Sequence, residues 1–478
     1  MPQASYLHHR TKIIATIGPA TSSAGTIERL IRAGMNVSRH NLSHGTPDEH
    51  ARHIQTVRRL AQRLKITVAV LMDLPGPKYR TGELSDGSVT LKKGSQLVLT
   101  TRLVPGDATA VSVNLPSLPR DVRAGDTVLL DDGAMQLRVQ STSGTEVTCR
   151  VIVGGRLIPE RGVVVPGRNI SAPFITDLLR EQLAFAARQQ PDYLALSFVG
   201  SAGDVEETRA LLPPAIAGVP LIAKIERGQA VAHFDRILGA SDGIMVARGD
   251  LGVDIPLEKV PLVQKEIIRQ CNRAGKPVIT ATQMLESMVS AARPTRAEVT
   301  DVANAIFDGT DAIMLSAETS VGKYPIPSVR MMARIARQTE RKLPYDHLLA
   351  ERAAELGTET DELISYDACH TAHRLGAAAI VAFTQSGSTA RRVAKYRPRV
   401  PILAITSSQK VCQGLMLFWG VNAVPIAPQS SVADLFATGA RLAKEMGLAK
   451  SGDLVVITGG VPVGTAGTTN LLKVEQVS

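Results

Sequence analysis

The segment Ala223–Gly228 reads A-K-I-E-R-G. In an extended chain alternate side chains share a face, so Lys224 and Glu226 point the same way. A following apolar run ends Ala247-Arg248-Gly249-Asp250-Leu251-Gly252. On adjacent parallel strands Glu226 and Asp250 lie at matching ends, where they can share one divalent cation and leave its other positions to oxygen ligands. That suits Mg²⁺ or Mn²⁺, with Lys224 supplying a positive charge beside the metal. A buried Lys-Glu-Asp ion cluster without metal is the alternative for the same residues.

Three further segments add polar chemistry. In Ser38-Arg39-His40-Asn41-Leu42-Ser43-His44-Gly45, Arg39, Asn41 and Ser43 alternate onto one face. They offer a guanidinium, whose planar fork suits phosphate, followed by two neutral oxygen ligands. The run Asp73-Leu74-Pro75-Gly76-Pro77-Lys78-Tyr79-Arg80 is a rigid Pro/Gly turn that aims Lys78 and Arg80 back toward the same region. With Arg39 they make an oligophosphate site. In T-A-T-Q-M-L-E-S-M from Thr280, Thr282 ends a strand and is the functional candidate, whereas Thr295 and Glu298 form a capping box.

These residues need a scaffold that brings strand ends together. Eight β-branched runs, each followed by a helical pattern, begin at 11, 35, 67, 193, 220, 243, 276 and 312. Eight βα units predict a (β/α)8 TIM barrel, and the long gap between 67 and 193 predicts an inserted domain. Six of the runs turn polar at their C-terminal ends: Arg39 and Asn41, Asp73, Lys224 and Glu226, Arg248 and Asp250, Thr282, Ser316 and Glu318. In this fold the βα loops gather the active site at that end. The expected organisation is a catalytic barrel over 1–74 and 169–344, a small all-β lid (a β-barrel) over 75–168, and a C-terminal α/β regulatory domain over 345–478. The insert alternates short strands with Gly, Asp and Ser turns.

Composition narrows the function classes. Of 478 residues, 44% are apolar and 21% charged, ordinary values for a folded soluble protein. No apolar run is long enough to span a bilayer, and the start lacks a signal-peptide core. The four cysteines are scattered without a C-x-x-C pair, so a cytoplasmic location is expected. The formal charge of +10 comes from dispersed basic residues, and aromatics are only 3%, so nucleic acid is not the expected partner. Small anionic substrates account for the charge equally well.

The blocks T-K-I-I-A-T-I-G-P-A from Thr11, M-N-V-S-R-H-N-L-S-H-G from Met35, the A-K-I-E strand, M-V-A-R-G-D-L-G-V from Met245, and T-A-T-Q-M-L-E-S-M through S-A-E-T resemble the pyruvate kinase family over nearly the whole chain. The resemblance implies phosphoryl transfer from phosphoenolpyruvate to ADP, as the last step of glycolysis. It implies Mg²⁺ held by Glu226 and Asp250, and Lys224 acting on the phosphoryl group. Arg39 matches the phosphate-binding arginine, and the backbone of Gly249 and Asp250 with Thr282 matches the carboxylate pocket. Asn41, His44 and Arg80 match nucleotide-side positions, while Thr282 and Ser316 match the network that delivers a proton. Asn41, Ser43, Asp73 and the carbonyl of Leu74 match K⁺ ligands.

Two departures from the family pattern stand out. Lys78 occupies a place where many members carry Glu, so K⁺ is expected to be unnecessary. Thr176-Asp177-Leu178-Leu179 lacks the lysine of the corresponding family run. In the C-terminal part, Thr384, Ser386, Gly387, Ser388 and Thr389, with Gly464 from a later glycine-rich segment, are either ordinary capping residues or a phosphate cradle. The resemblance favours a site for a phosphorylated effector, and it implies a homotetramer. A Mg²⁺-dependent lyase or aldolase is the alternative enzyme class, and a non-catalytic anion sensor the alternative outside enzymes.

Overall fold

The computed structural model describes residues 9–354, 356–428, 431–462 and 468–478. Eight parallel strands, Lys12–Thr16, Val37–Asn41, Ala69–Leu74, Tyr193–Leu196, Leu221–Ile225, Gly243–Ala247, Val278–Ala281 and Ala312–Leu315, close into a barrel in chain order. The first pairs with the last, Lys12 opposite Ala312. Both faces of these strands are covered, which is why they read as continuous apolar runs. Alternation still sorts the side chains. Ile14, Leu71, Ile222, Met245 and Met314 fill the interior, whereas Ile13, Ala15, Ile313 and Leu315 pack outward against helices.

The helices carry their own signals. Thr46 caps Pro47–Leu64 through a reciprocal capping box with Glu49, and Thr295 with Glu298 does the same for Arg296–Phe307, leaving few N-terminal amides unsatisfied. The sixth strand stops at Ala247, earlier than expected, because Arg248–Asp254 turns into a short helix. Asp250 therefore projects from a helix rather than from a strand end.

The insert is all-β. Its main sheet runs, in spatial order, Tyr79–Arg80, Gly162–Val164, Thr127–Leu130, Met135–Thr142, Glu146–Val153, Gln96–Thr100 and Ala110–Ser112. An antiparallel bridge between Thr81 and Val113 joins the two edges, so the sheet curls back on itself. Its core is separate, centred on Leu97, Leu99, Leu137 and Val147.

The C-terminal α/β unit orders its strands Val421–Pro425, Ile402–Thr406, Ala379–Phe383, Leu454–Gly459 and Leu471–Gln476, the last antiparallel. Tyr396, Ile402 and Leu417 of this unit join the same apolar cluster as the barrel interior. Cys149, Cys271, Cys369 and Cys412 are buried and unpaired with one another. Among the described residues, no helix is long and apolar enough to cross a membrane.

Candidate active site

The polar strand ends converge on one buried cluster. Lys224 Nζ lies 2.7 Å from Ser197 Oγ, 3.0 Å from Glu226 Oε1 and 3.2 Å from Asp73 Oδ1. Arg39 donates from Nε to Asp73 Oδ2 at 2.8 Å and from Nη1 to Thr16 Oγ1 at 3.0 Å. Among the described residues its Nη2 has no hydrogen-bond partner, leaving one arm of the fork for a ligand. Burial opposes the charge on Lys224, but Asp73 and Glu226 outweigh it and hold its pKa above the usual lysine value. Burial also pushes Asp73 up, and Lys224 and Arg39 overcome it, so this carboxyl sits below its usual range. Glu226 keeps a raised pKa because burial, with repulsion from Asp250 and Asp73, exceeds the help from Lys224.

Asp250 meets a different cation. Lys78 Nζ lies 2.5 Å from Asp250 Oδ1 and 3.8 Å from Asp132 of the insert, 5.3 Å above the Phe198 ring. The Pro/Gly turn thus aims Lys78 at the barrel mouth, onto a carboxylate rather than onto the Asn41, Ser43 and Asp73 set. Gly76 makes that turn possible, since a Cβ there would come within 1.9 Å of the Ser197 carbonyl oxygen. Arg80 donates to the Glu160 carbonyl at 3.1 Å. With Arg39 it helps to depress the pKa of His44, after burial itself, so His44 and Arg80 are near neighbours. Asn41 accepts from the Ser43 amide at 3.3 Å, and the Leu74 carbonyl accepts from the Ser197 amide at 3.1 Å.

On the opposite wall Thr282 has φ of 66° and Gln283 of 53°. A left-handed β-branched residue is costly and marks a place where the surroundings over-determine the backbone. Arg248 does that here. It donates to the Thr282 carbonyl at 2.8 Å and the Gln283 carbonyl at 3.2 Å, and pairs with Asp301 at 2.7 Å. Thr282 Oγ1 accepts from the Gly249 amide at 2.7 Å, and Ser316 Oγ is buried without a hydrogen-bond partner among the described residues. Glu318 braces two loops by accepting from the Ser316 and Leu285 amides at 2.7 and 3.1 Å. Arg248 and Glu318, both polar strand ends, therefore hold backbone.

Two members of the cluster escaped the sequence reading. Ser197 bonds both Asp73 and Lys224, and the Phe198 amide donates to Glu226 Oε2 at 2.5 Å, again from a left-handed residue with φ of 58°. The fourth strand ends in Ser-Phe-Val without a charge, so it lacked the signal that exposed its neighbours. Far from the barrel mouth, Thr384 accepts from the Gly387 amide at 2.9 Å, Ser386 donates to Ser388 at 3.2 Å, and Thr389 bonds Thr469 at 2.8 Å. Gly464 lies outside the described residues.

Glu226 and Asp250 line one small cavity with Lys78 and Phe198. Among the described residues, no group of three or more His, Cys, Asp or Glu side chains is placed to hold a metal. Two hard carboxylate donors fit a divalent ion that takes its remaining oxygens from substrate and water. Each already faces a lysine ammonium, so the site is built to hold positive charge.

Residues 8–329 match the family model described as pyruvate kinase, barrel domain, and 362–475 match pyruvate kinase, alpha/beta domain. A pyruvate kinase of Geobacillus stearothermophilus is 48% identical over 475 residues, covering 99% of this chain and 81% of that protein. One from Clostridium acetobutylicum is 44% identical over 470 residues, covering 98% and 99%. The crystal structure of a pyruvate kinase from Cryptosporidium parvum superposes with a TM-score of 0.93 at 37% identity, covering 100% of this chain and 98% of that one. The chain belongs to the pyruvate kinase family.

Proposed function

We propose that the cluster around Lys224 carries out the reaction of this family. The chain transfers the phosphoryl group of phosphoenolpyruvate to ADP, giving pyruvate and ATP, the last step of glycolysis, and it uses a divalent metal ion. The observation that carries the assignment of residues is Lys224 itself, a buried ammonium held between Asp73, Glu226 and Ser197. Such a group stabilises charge on a phosphoryl group in flight, because positioning and electrostatics do most of the work in this chemistry. The free arm of Arg39 binds the phosphate of phosphoenolpyruvate. The amides of Gly249 and Asp250 with the Thr282 hydroxyl receive its carboxylate, which displaces the Thr282–Gly249 contact. Asn41, His44 and Arg80 face ADP. Glu226 and Asp250 hold Mg²⁺ or Mn²⁺, which when bound offsets negative charge on the enolate and phosphoryl oxygens. Thr282 and Ser316 belong to the network that relays the proton to the enolate, and water takes part in it, because a hydroxyl of ordinary pKa is a weak acid by itself.

A coupled assay tests this reading. Pyruvate release from phosphoenolpyruvate should require ADP, and Asp250→Asn should raise the Mg²⁺ concentration needed and lower turnover sharply. Turnover of a hydroxy-keto acid without ADP would favour the lyase or aldolase alternative, and no turnover at all the anion sensor. A phosphorylated effector at the Thr384–Thr389 loop and a homotetramer complete the proposal.

Lys78 makes K⁺ unnecessary. Its ammonium adds a tethered positive charge at the barrel mouth, and Asp73 is already paired with Arg39 and Lys224. Activity in Na⁺ or tetramethylammonium buffers should equal that in K⁺ at matched ionic strength, and Lys78→Glu should become K⁺-dependent. Strong K⁺ activation of the unmodified enzyme would overturn this assignment.

A further inference from the structure

The chain that leaves the second barrel strand, Val37–Asn41, passes through Ser43 and His44 before helix Pro47–Leu64 begins. Every residue from Ser43 to Glu49 is exposed, and the next, His50, is buried. His50 Nε2 lies 2.7 Å from the His44 carbonyl oxygen. A carbonyl only accepts, so Nε2 carries the proton and Nδ1 the lone pair. Nδ1 is buried without a hydrogen-bond partner among the described residues. The ring is therefore committed to one polar contact, and that contact is with the loop.

The two ends of this bond differ in how firmly they are held. His50 sits on the first turn of the helix, one residue after the capping box of Thr46 and Glu49, and its amide donates to the Thr46 carbonyl at 3.1 Å. Its ring meets His40 edge to face at 6.1 Å. The loop is held less. The Leu42 amide still donates to the Asp73 carbonyl at 3.0 Å, but beyond it the Ser43 and His44 amides make only long bonds of 3.3 Å back to Asn41. Gly45, with φ of 75°, lets the chain close onto the helix, since a Cβ there would come within 3.2 Å of Glu49 Oε2. Arg39 is fixed by other means. Its backbone is paired on both sides, opposite Thr16 and Leu71, and its side chain bonds Asp73 and Thr16 inside the barrel.

We propose that His50 is a positioning residue for the nucleotide: by donating to the His44 carbonyl it holds the loop after Asn41 in the place from which His44 meets ADP. The proposal rests on the reading that Asn41, His44 and Arg80 face ADP. A group displaced by about 1 Å can cost on the order of 10² in rate or binding even when the displacing change lies outside the chemistry. Because the barrel sets Arg39 and His50 sets the loop, losing the bond falls on ADP and spares phosphoenolpyruvate.

The test is steady-state kinetics of the full chain, with the ADP dissociation constant measured in parallel by equilibrium dialysis. His50→Phe keeps a ring without a donor, His50→Asn keeps a donor too short to reach, and His50→Gln puts an amide nitrogen close to the place of Nε2. The Phe and Asn variants should raise the KM and the dissociation constant for ADP at least tenfold, with kcat and the KM for phosphoenolpyruvate within about twofold of wild type. The Gln variant should bring both ADP constants back to within about threefold. If His50→Phe loses its native circular dichroism, the Asn and Gln variants decide alone. Equal rises in the two Michaelis constants, or no rescue by Gln, would make His50 a packing residue and overturn the proposal. Unchanged ADP constants in these variants while Arg80→Ala raises them would overturn it too, and leave the nucleotide site where it is. If Arg80→Ala and His44→Ala leave the ADP constants unchanged as well, the reading of the nucleotide site fails and the proposal falls with it.

Discussion

Lys224 touches two carboxylates and a hydroxyl at once, so replacing it separates a catalytic role from a structural one. Lys224→Met keeps most of the buried volume and removes the charge. If Lys224 acts on the phosphoryl group, transfer falls by a factor on the order of 10³, the scale of a lost transition-state stabiliser. Exchange of the methyl protons of pyruvate, which needs no phosphoryl movement, should survive much better. Equal loss of both activities together with weakened Mg²⁺ binding would favour the ion-cluster role, because Asp73 and Glu226 would then be left buried with less compensation. At this scale the sequence was most legible where chemistry shows in residue type. Lys224, Glu226, Asp73 and Arg39 could be picked out by alternation along their strands. Ser197 and the Phe198 amide could not, since a neutral strand end and a backbone N–H leave no mark in composition.

The barrel strands were readable because each is a short apolar run followed by a helical period, and all eight occur where those runs are. What the pattern could not reveal was the break at Ala247. The residues R-G-D-L-G-V continue an alternation that looks extended, yet Arg248 reaches the Thr282 and Gln283 carbonyls only if the chain turns helical there. Tertiary contacts decided between two local conformations of similar cost. Strand beginnings carry a different kind of information. Asp192, just before the fourth strand, is 9% exposed and accepts from the Val70 amide at 2.7 Å. Burial raises its pKa from 3.8 to about 6. Above pH 6 the folded state holds a charged carboxylate that burial disfavours. Between 6 and 3.8 the folded protein binds the proton more readily than the unfolded chain, so this group's penalty fades as pH falls through that window. Asp192→Asn keeps an acceptor for Val70 and removes the charge. It should raise stability by about 1–2 kcal/mol at pH 8 and give no gain below about pH 4. Urea melts at the two pH values would show it, and an equal effect at both would mean the carboxylate is not desolvated as described.

At the scale of the whole molecule, the barrel and the C-terminal unit share one apolar cluster, and Arg397–Asp311 is a buried ion pair across their junction. Both partners are at most 7% exposed, so neither charge can be satisfied by solvent when the other is removed. Breaking such a pair from one side costs about 3–5 kcal/mol, because an uncompensated charge stays buried. Arg397→Met should therefore lower the melting temperature and, by weakening the junction rather than either core, split a single calorimetric transition into two. Asp311 would keep its Trp419 and Val278 amide partners, which support a neutral oxygen as well as a charged one. Adding Asp311→Asn to Arg397→Met should for that reason restore much of the lost stability, as replacement of both members of a buried pair commonly does. Differential scanning calorimetry of the wild type, the two single variants and the double variant measures the coupling directly. If the double variant melts at the sum of the single losses, the two side chains act independently, and the contact between the units rests on the shared apolar cluster instead.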